Sequence, residues 1–381
     1  MQRYKDYRKW QKEIRKFDLW GVVHFKKSVN FERFRLCEAI LLREKYYFCI
    51  LYMGIAKYLY MAMALCFLLL TAGYAQRYMV MPAFLNPGDS IAVISPSSSP
   101  DSRIVEAGCR ALRQWGYVPV VGSHAIENYH GFAGPVSHRT EDLLWALRDS
   151  TIRAIMCTRG GDGGVQLLPF VDTNEFRRHP KWIIGFSDIT AIHSASVQAG
   201  VMGIHGPMCQ AIAANGASDS ANVVLKRLLT GQLPEYHTAP HRFNNLGTAE
   251  GMLVGGNFSV FCGLAGSPYD FLNSSSDLIL FIEDTDESMT KVDRMLHLLE
   301  VRGVLSRLKG IVVGKFTHYK YPDNGFSDMY EMLHEYLQHY DIPVCYGFPV
   351  GHSRPNLPMI EGCRVRLAVT PSAVDLRFIG N

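Results

Sequence analysis

One serine, Ser187, stands where a short apolar segment gives way to a helical pattern. Trp182–Gly185 is an apolar run that ends in glycine, which is typical of a buried strand. Ile189–Gln198 has a helical pattern, and Ser187-Asp188 supplies side chains that open helices. Unpaired N–H groups at a helix N-terminus can stabilise the negative charge on a carbonyl oxygen under attack. The segment therefore resembles a nucleophile elbow, and the alternative is that Ser187 only caps the helix.

A glycine-rich loop, Arg159–Gly164, follows another predicted strand, Ile152–Thr158. The loop matches neither a dinucleotide-binding fingerprint nor a P-loop, because no Gly-Lys-Ser/Thr follows it. Consecutive glycines let backbone N–H groups approach a ligand closely. One of them could complete an oxyanion hole opposite the Asp188 N–H, although a tight structural turn explains the glycines equally well.

A serine nucleophile needs a base, and the base needs an acid that orients it. Glu283 ends an apolar strand that begins at Leu278, and His352 lies in a loop rich in turn residues, the usual place of a catalytic group. Taken singly, Glu283 could be a surface carboxylate and His352 a solvated loop residue. The chain has 14 histidines, and His193 and His205 are the main competitors.

These residues need elements that position them. Predicted strands and helices alternate over residues 82–230, which favours a doubly wound parallel sheet in an α/β domain. Loops at the carboxyl ends of such strands bind ligands, so Ser95–Pro100, Arg159–Gly164 and Phe186–Asp188 should open on one edge. Residues 231–248 are predicted to be a linker, and residues 249–381 a smaller, mixed or barrel-like domain with Glu283 and His352.

Composition excludes several classes of protein. With 48% hydrophobic and 19% charged residues, the chain is globular and not disordered. Its net charge of +4 arises in the leader, where residues 1–45 hold 13 Lys/Arg against 6 Asp/Glu. The remainder is mildly acidic, which gives no support to nucleic-acid binding. The nine cysteines form no Cys-x-x-Cys pair, so we expect buried free thiols and no zinc or thioredoxin-like site built on cysteines.

Residues 1–75 are predicted to be a basic leader followed by a signal peptide at about 57–75. Lys57 precedes an apolar run, Tyr58–Ala72, and Gly73-Tyr74-Ala75 places small residues before a cleavage point. This predicts a periplasmic or cell-envelope protein, or a cytoplasmic one if the leader is not functional. The rival interpretation is a membrane anchor over 46–75, so membrane contact is expected only through an uncleaved leader. Met53, Met61 and Met63 are alternative start residues.

Eight motifs occur in an order that resembles the LD-carboxypeptidase family of serine peptidases, which includes the microcin-immunity peptidases. The likeness runs from about Pro82 to the C-terminus. The motifs are Pro87–Pro96, Arg159–Gly163, Ile184–Thr190, His205–Met208, Gly255–Asn257, Phe281–Asp284, Val292–Leu296 and Gly351-His352.

The resemblance implies a Ser-Glu-His triad of Ser187, Glu283 and His352. It also implies an oxyanion hole formed by the backbone N–H groups of Asp188 and Gly161, with no metal or organic cofactor. The family fold pairs a Rossmann-like α/β domain with a smaller β-rich C-terminal domain, and the active site lies where they meet.

The implied substrate is a small peptide, the murein stem tetrapeptide, from which terminal D-alanine is released. The alternatives are a microcin-immunity-type peptidase or amidase that cleaves a peptide–nucleotide antibiotic, and a murein-peptide-binding protein without catalysis. Asp162 departs from the tyrosine usual in the family, which affects the expected substrate preference. Assembly as a homodimer is left open, because the sequence does not set the oligomeric state.

Overall fold

The computed structural model describes residues 43, 56–63, 79–273, 277–320 and 325–380. Residues 1–76 and residues 77–381 are two compact units. In the first unit, the described residues are helical. Among the described residues, no helix combines the length and apolar character needed to cross a membrane. The predicted signal peptide or anchor lies mostly outside the described residues and stays a prediction.

The second unit is built from thirteen described strands in two sheets. In chain order the strands are β1 (Ser90–Ile94), β2 (Val118–Val121), β3 (Ile152–Cys157), β4 (Trp182–Gly185), β5 (Gly203–His205), β6 (Glu235–Thr238), β7 (Gly247–Asn257), β8 (Leu278–Thr285), β9 (Leu308–Thr317), β10 (Val344–Tyr346), β11 (Met359–Glu361), β12 (Arg364–Val369) and β13 (Val374–Phe378). The first sheet has the order β11-β5-β4-β3-β1-β2, and the second has the order β10-β9-β8-β7-β12-β13-β6.

Nine α-helices connect or flank these strands among the described residues of this unit. They are α1 (Ser102–Gln114), α2 (Val136–Arg148), α3 (Asn174–Arg178), α4 (Thr190–Gln198), α5 (Cys209–Asn215), α6 (Ser220–Leu229), α7 (Phe258–Cys262), α8 (Met289–Val301) and α9 (Met329–Leu337). Four short 3-10 turns occur at Gly164–Phe170, Ser187–Ile189, Phe271–Asn273 and Leu305–Arg307.

Strands β1 to β5 are parallel, which confirms the predicted doubly wound α/β sheet. Helices α1 and α6 cover one face and helices α2 and α4 cover the other. Every residue of β4 is therefore buried, because parallel strands covered on both faces cannot alternate apolar and polar residues. The loops after β1, β3 and β4 lie at one edge of this sheet, as predicted.

The second sheet is mixed, as expected for the smaller C-terminal domain. Strands β7 to β10 pair in parallel, and β7, β12, β13 and β6 pair antiparallel. One face shares its hydrophobic core with the first sheet, and α7, α8 and α9 cover the other face. Strand β11 belongs to the C-terminal half of the chain but pairs antiparallel with β5 of the first sheet.

The prediction that residues 231–248 form a linker was wrong in part. Strand β6 lies inside it and pairs with β13, and β7 begins at Gly247. The stretch contains Pro234 and several polar residues, so its composition predicts a linker. As the last strand of its sheet, β6 has one solvent-facing edge, and Tyr236 is the only buried residue among its four, so the sequence carries little strand signal.

The cysteines of this unit are buried free thiols, as the sequence predicted. All six are unpaired with one another: Cys109, Cys157, Cys209, Cys262, Cys345 and Cys363. Cys37, Cys49 and Cys66 lie outside the described residues.

Candidate active site

Ser187 lies on a strained turn at the carboxyl end of β4. Its φ is +63°, in the left-handed region that non-glycine residues rarely adopt and that costs about 1–3 kcal/mol. A 3-10 turn begins at Ser187 and continues directly into α4. Gly185 makes room for this tight reversal, since a Cβ there would lie 2.8 Å from the Ile189 side chain. The turn has the geometry of a nucleophile elbow.

Ser187, His352 and Glu283 are joined by two consecutive short contacts. The Nε2 atom of His352 lies 3.0 Å from the Oγ atom of Ser187, and Nδ1 lies 2.7 Å from the Oε2 atom of Glu283. An N–H at Nδ1 donates to the carboxylate and leaves Nε2 free to accept the hydroxyl proton. The three predicted triad residues therefore meet in the order that a serine hydrolase requires.

Glu283 is fully buried inside β8. The sequence predicts that this strand ends at Glu283, but in the structure it continues to Thr285. His352 follows Gly351, whose φ of +111° suits glycine. A Cβ on Gly351 would lie 2.5 Å from the Oε2 atom of Glu283, so only glycine permits this approach. The side chain of Asn356 accepts the Gly351 N–H at 2.8 Å and fixes the loop that carries the imidazole.

The pKa of His352 lies above its ordinary value. Burial opposes the charged ring, but the attraction of the Glu283 carboxylate and its hydrogen bond outweigh this effect, with Asp284 and Asp286 adding to it. Glu283 thus stabilises the imidazolium that forms when the ring takes a proton.

Gly160 leaves a small volume open beside Ser187. A Cβ on Gly160 would lie 3.0 Å from the Ser187 Oγ atom and 3.3 Å from the Asp188 nitrogen, so glycine leaves this volume open. Gly161 has φ +113°, and a Cβ there would collide with the Ser98 side chain. The predicted role of the Gly161 N–H stays a prediction, and Gly160 is the residue that frames the space.

The Asp188 side chain has a structural function that the sequence reasoning missed. Its Oδ2 atom accepts the Ser97 hydroxyl and the Gly164 N–H, both at 2.6 Å. Burial raises the pKa of this carboxyl, while the two hydrogen bonds act in the opposite direction. One buried carboxyl therefore holds the loops after β1 and β3 against the nucleophile turn.

Three further residues join the two sheets next to the triad. The Thr190 hydroxyl accepts the Asn257 N–H at 3.0 Å, and the Asn257 amide donates to Asp284 at 3.0 Å. Burial and repulsion from Glu283 raise the pKa of Asp284 to about 6. Asn257 and Asp284 lie in motifs that carry the family resemblance, but the sequence alone assigned them no contact.

The competing histidines are excluded by their surroundings. His193 is fully buried, and its Nδ1 atom lies 2.7 Å from Glu361 on β11. His205 is fully buried between the rings of Phe186 and Phe281, and neither ring nitrogen has a hydrogen-bond partner among the described residues. Burial lowers the pKa of His205 well below its ordinary value, and the neighbouring His193 and His352 add to this effect.

The triad opens into a cleft of about 860 Å³. Side chains of both charges line it, among them Arg159, Asp162 and Asp286. Arg354 donates to the buried Asp219 carboxylate at 2.8 Å at the same cleft. A smaller, apolar cleft of about 540 Å³ along α2 is lined by none of the triad residues, so the chemistry belongs to the larger cleft.

Comparison with known proteins agrees with this geometry. Residues 91–206 match the LD-carboxypeptidase N-terminal domain, and residues 250–367 match the LD-carboxypeptidase C-terminal domain. The chain belongs to the LD-carboxypeptidase family. The resemblance seen in the sequence is therefore confirmed. Each of the two family domains contains the central strands of one sheet.

Two curated members of the LD-carboxypeptidase family illustrate the similarity. The probable murein peptide carboxypeptidase of Bacillus subtilis is 32% identical over 294 residues, covering 75% of this chain and 91% of that protein. The murein tetrapeptide carboxypeptidase of Pseudomonas aeruginosa is 30% identical over 295 residues, covering 72% of this chain and 94% of that protein. A crystal structure of muramoyltetrapeptide carboxypeptidase from Oxalobacter formigenes matches this chain with a TM-score of 0.70 and 27% sequence identity. The match covers 77% of this chain and 99% of that protein.

Proposed function

We propose that this protein is a serine LD-carboxypeptidase that removes the terminal D-alanine from murein stem tetrapeptides. The observation that carries the proposal is the continuous contact from Ser187 through His352 to Glu283 at the edge of an open cleft. Family membership supplies the reaction type, and the names of two relatives supply the substrate class.

In the first step, His352 accepts the Ser187 proton at Nε2 while Oγ attacks the carbonyl carbon of the L,D-amide bond. The Glu283 carboxylate accepts the Nδ1 hydrogen bond and stabilises the imidazolium. The carbonyl oxygen becomes an oxyanion in the space framed by Gly160, within reach of the Asp188 N–H.

In the second step, the C–N bond breaks, and the imidazolium gives its proton to the amine of the leaving D-alanine. The rest of the peptide remains as an ester on Ser187. Water then gives a proton to His352 and attacks the ester carbonyl; the bond from that carbon to the Ser187 Oγ breaks, the tripeptide leaves, and His352 returns the proton to Oγ. Apart from this water, these steps use side chains and backbone groups of this chain.

The charges of the cleft suit this substrate. A stem tetrapeptide ends in a carboxylate and carries a diamino acid with an ammonium group. Arg159 provides a cation for the former, and so does the exposed end of Arg354, whose Nε is bound to Asp219. Asp162 and Asp286 provide anions for the latter. Both Asp162 and Arg354 are at least partly exposed, so each can meet a substrate group.

The antibiotic-cleaving alternative is less well supported. Nucleobases bind proteins largely by stacking on aromatic rings. Among the described residues that line the cleft, the aromatic rings are those of Phe186 and His352, and these two pack on each other with centroids 5.0 Å apart. This leaves no additional ring in that lining for a base.

The deciding experiment is mass spectrometry of purified protein incubated with murein tetrapeptide. We expect one D-alanine to be released by the wild-type protein, and turnover to fall by several orders of magnitude in Ser187→Ala, which should remain folded. A peptidyl or aminoacyl sulfamoyl nucleoside, tested in parallel, distinguishes the antibiotic-cleaving alternative. Labelling by a serine-directed phosphonate distinguishes a peptide-binding protein, because a binding protein would not form the covalent adduct. Wild-type rates in Ser187→Ala would refute the nucleophile assignment.

We further propose that the protein is exported and acts on peptides in the cell envelope. The support is the leader: Lys57, the apolar run to residue 72, and small residues at 73 and 75. N-terminal sequencing of protein from the envelope fraction tests this proposal. A mature N-terminus near Gln76 is expected, whereas an uncleaved chain in the cytoplasm would refute export.

A further inference from the structure

A cluster of two histidines and a glutamate lies apart from the triad, on the segment that follows β2 and continues into α2. Glu127 contacts both imidazoles, with Oε1 2.7 Å from the Nδ1 atom of His124 and Oε2 2.8 Å from the Nδ1 atom of His138. The three potential ligand atoms lie within 4.8 Å of one another, and all three residues are half-buried. No step of the proposed reaction uses them.

Several contacts hold these side chains in place. The two imidazole rings stack with centroids 4.1 Å apart, and both Nδ1 atoms face the same carboxylate. The second ring nitrogen of His124, Nε2, lies 3.5 Å from Glu141. A Cβ on Gly134 would lie 2.5 Å from the Oε2 atom of Glu127, so a glycine is needed where the chain passes the carboxylate.

The chemistry of this donor set is selective. Two imidazole nitrogens and one carboxylate oxygen are ligands that zinc and similar transition metals use, whereas Mg²⁺ and Ca²⁺ prefer sites made of oxygen atoms. We propose that His124, Glu127 and His138 bind one divalent transition-metal ion of the zinc type.

The geometry requires only local adjustment. Ligand bonds of about 2.0–2.2 Å in a tetrahedral zinc site separate the ligand atoms by roughly 3.4 Å. The atoms of this cluster are therefore close enough for side-chain rotations to bring them onto one ion. Binding through Nδ1 would leave the Nε2–H of His124 directed at Glu141, the carboxylate partner that metal-bound histidines commonly have.

The site would fasten a segment that supports the nucleophile turn. The Glu127 carbonyl accepts the Ser99 hydroxyl at 2.6 Å, and the Ala133 N–H donates to the Ser97 carbonyl at 3.0 Å. Ser97 in turn donates to Asp188 beside the nucleophile. An ion at this place would stabilise the loop structure around the active site without taking part in the chemistry.

The test is isothermal titration of the full chain, stripped by a chelator, with ZnCl₂ alone and with MgCl₂ alone. We expect a one-to-one zinc event that is lost, or weakened at least about tenfold, in His138→Gln and in Glu127→Gln, and no comparable magnesium event. The matched control is His297→Gln. His297 lies between Asp293 and Glu300, and its side chain is 40% exposed, against 41% for His138.

Two further readouts make the test independent of activity. Cobalt(II) bound to the wild-type chain should give the absorption of a low-coordinate nitrogen–oxygen site, and His138→Gln should lose it. Thermal unfolding without metal reports whether each variant folds, and zinc should raise the wild-type Tm but not that of a folded cluster variant. Zinc binding that is equal in wild type and both cluster variants, or no zinc binding at all, would overturn the proposal and leave a hydrogen-bonded network.

Discussion

Replacing Glu283 by Gln removes one charge at the centre of the triad and changes almost no volume. The carboxylate is fully buried, and its Oε2 atom lies 2.7 Å from the Nδ1 atom of His352. Its other oxygen, Oε1, has no hydrogen-bond partner among the described residues. If the new amide group turns its NH₂ to Nδ1, the ring holds its proton on Nε2 and cannot accept the one from Ser187. If it turns its oxygen to Nδ1, the tautomer is right but the charge is missing.

The size of the effect follows from the distance. At 2.7 Å, with an effective dielectric constant of about 20, a carboxylate and an imidazolium attract by about 6 kcal/mol. Part of this attraction offsets the cost of burying the charged ring. A loss of about 10⁴-fold in kcat, the effect of the equivalent change in Ser-His-Asp enzymes, corresponds to roughly 5.4 kcal/mol. We therefore expect Glu283→Gln to lower kcat by about 10⁴-fold.

The assay is D-alanine release measured from pH 5 to 9. The neutral imidazole is the active form, and its pKa is raised in the wild-type protein. Activity should therefore increase with pH through a value above the ordinary histidine pKa of about 6.5. In Glu283→Gln the largest attraction for the proton is gone, while burial still disfavours the charged ring, so this rise should move to lower pH.

The matched control is Glu361→Gln. Glu361 is also fully buried and lies 2.7 Å from a buried histidine, His193, but this pair does not contact Ser187. Both substitutions leave a buried amide group poorly paired and should lower stability, by about 1–3 kcal/mol each. Only the change at Glu283 should abolish turnover. If Glu283→Gln kept kcat within tenfold of wild type with an unmoved pH profile, or if Glu361→Gln were equally inactive while folded, Glu283 would not be the orienting acid.

Two further predictions concern the residues around the nucleophile. Gly160→Ala places a Cβ 2.8 Å from the Ser187 Cβ and fills the proposed oxyanion space, so kcat should fall by about 10²–10³-fold. The control is Gly206→Ala, where a Cβ has no neighbour nearer than 3.4 Å. An equal loss of kcat in both variants would refute the assignment of the oxyanion space to Gly160. Asp162→Asn should raise KM about 3–10-fold for tetrapeptides whose diamino acid carries an ammonium group, with kcat kept, because an exposed charge pair contributes only about 1 kcal/mol. An unchanged KM would show that Asp162 does not meet that group.

Local patterns were sufficient for most elements of the fold. Strand β4 has the bounds that its apolar run predicts, and α1 begins after Asp101, whose side chain accepts the Arg103 N–H. Such features depend on neighbours within a few residues, so the sequence carries them directly. The glycines that permit close approach, such as Gly351, could be recognised as turn residues but not assigned to a partner.

Long-range pairing was beyond the reach of the sequence. The pairing of β11 with β5, and of β6 with β13, depends on which edges remain free once the sheets have formed. The proximity of His124, Glu127 and His138 likewise depends on the path of a loop past Gly134. Their spacing in the sequence follows no familiar metal-ligand pattern, so the sequence did not predict this cluster.

By itself, the sequence determined the alternation of elements, the family motifs and the identity of the serine, the histidine and the glutamate. Only the tertiary structure decided that the Ser187 hydroxyl lies 3.0 Å from the His352 ring, and that Glu283 is fully buried in contact with the other nitrogen of that ring. The physical reason is that 165 residues separate Ser187 from His352. Their contact is set by two sheets that share one hydrophobic core, and no local preference of the chain encodes that packing.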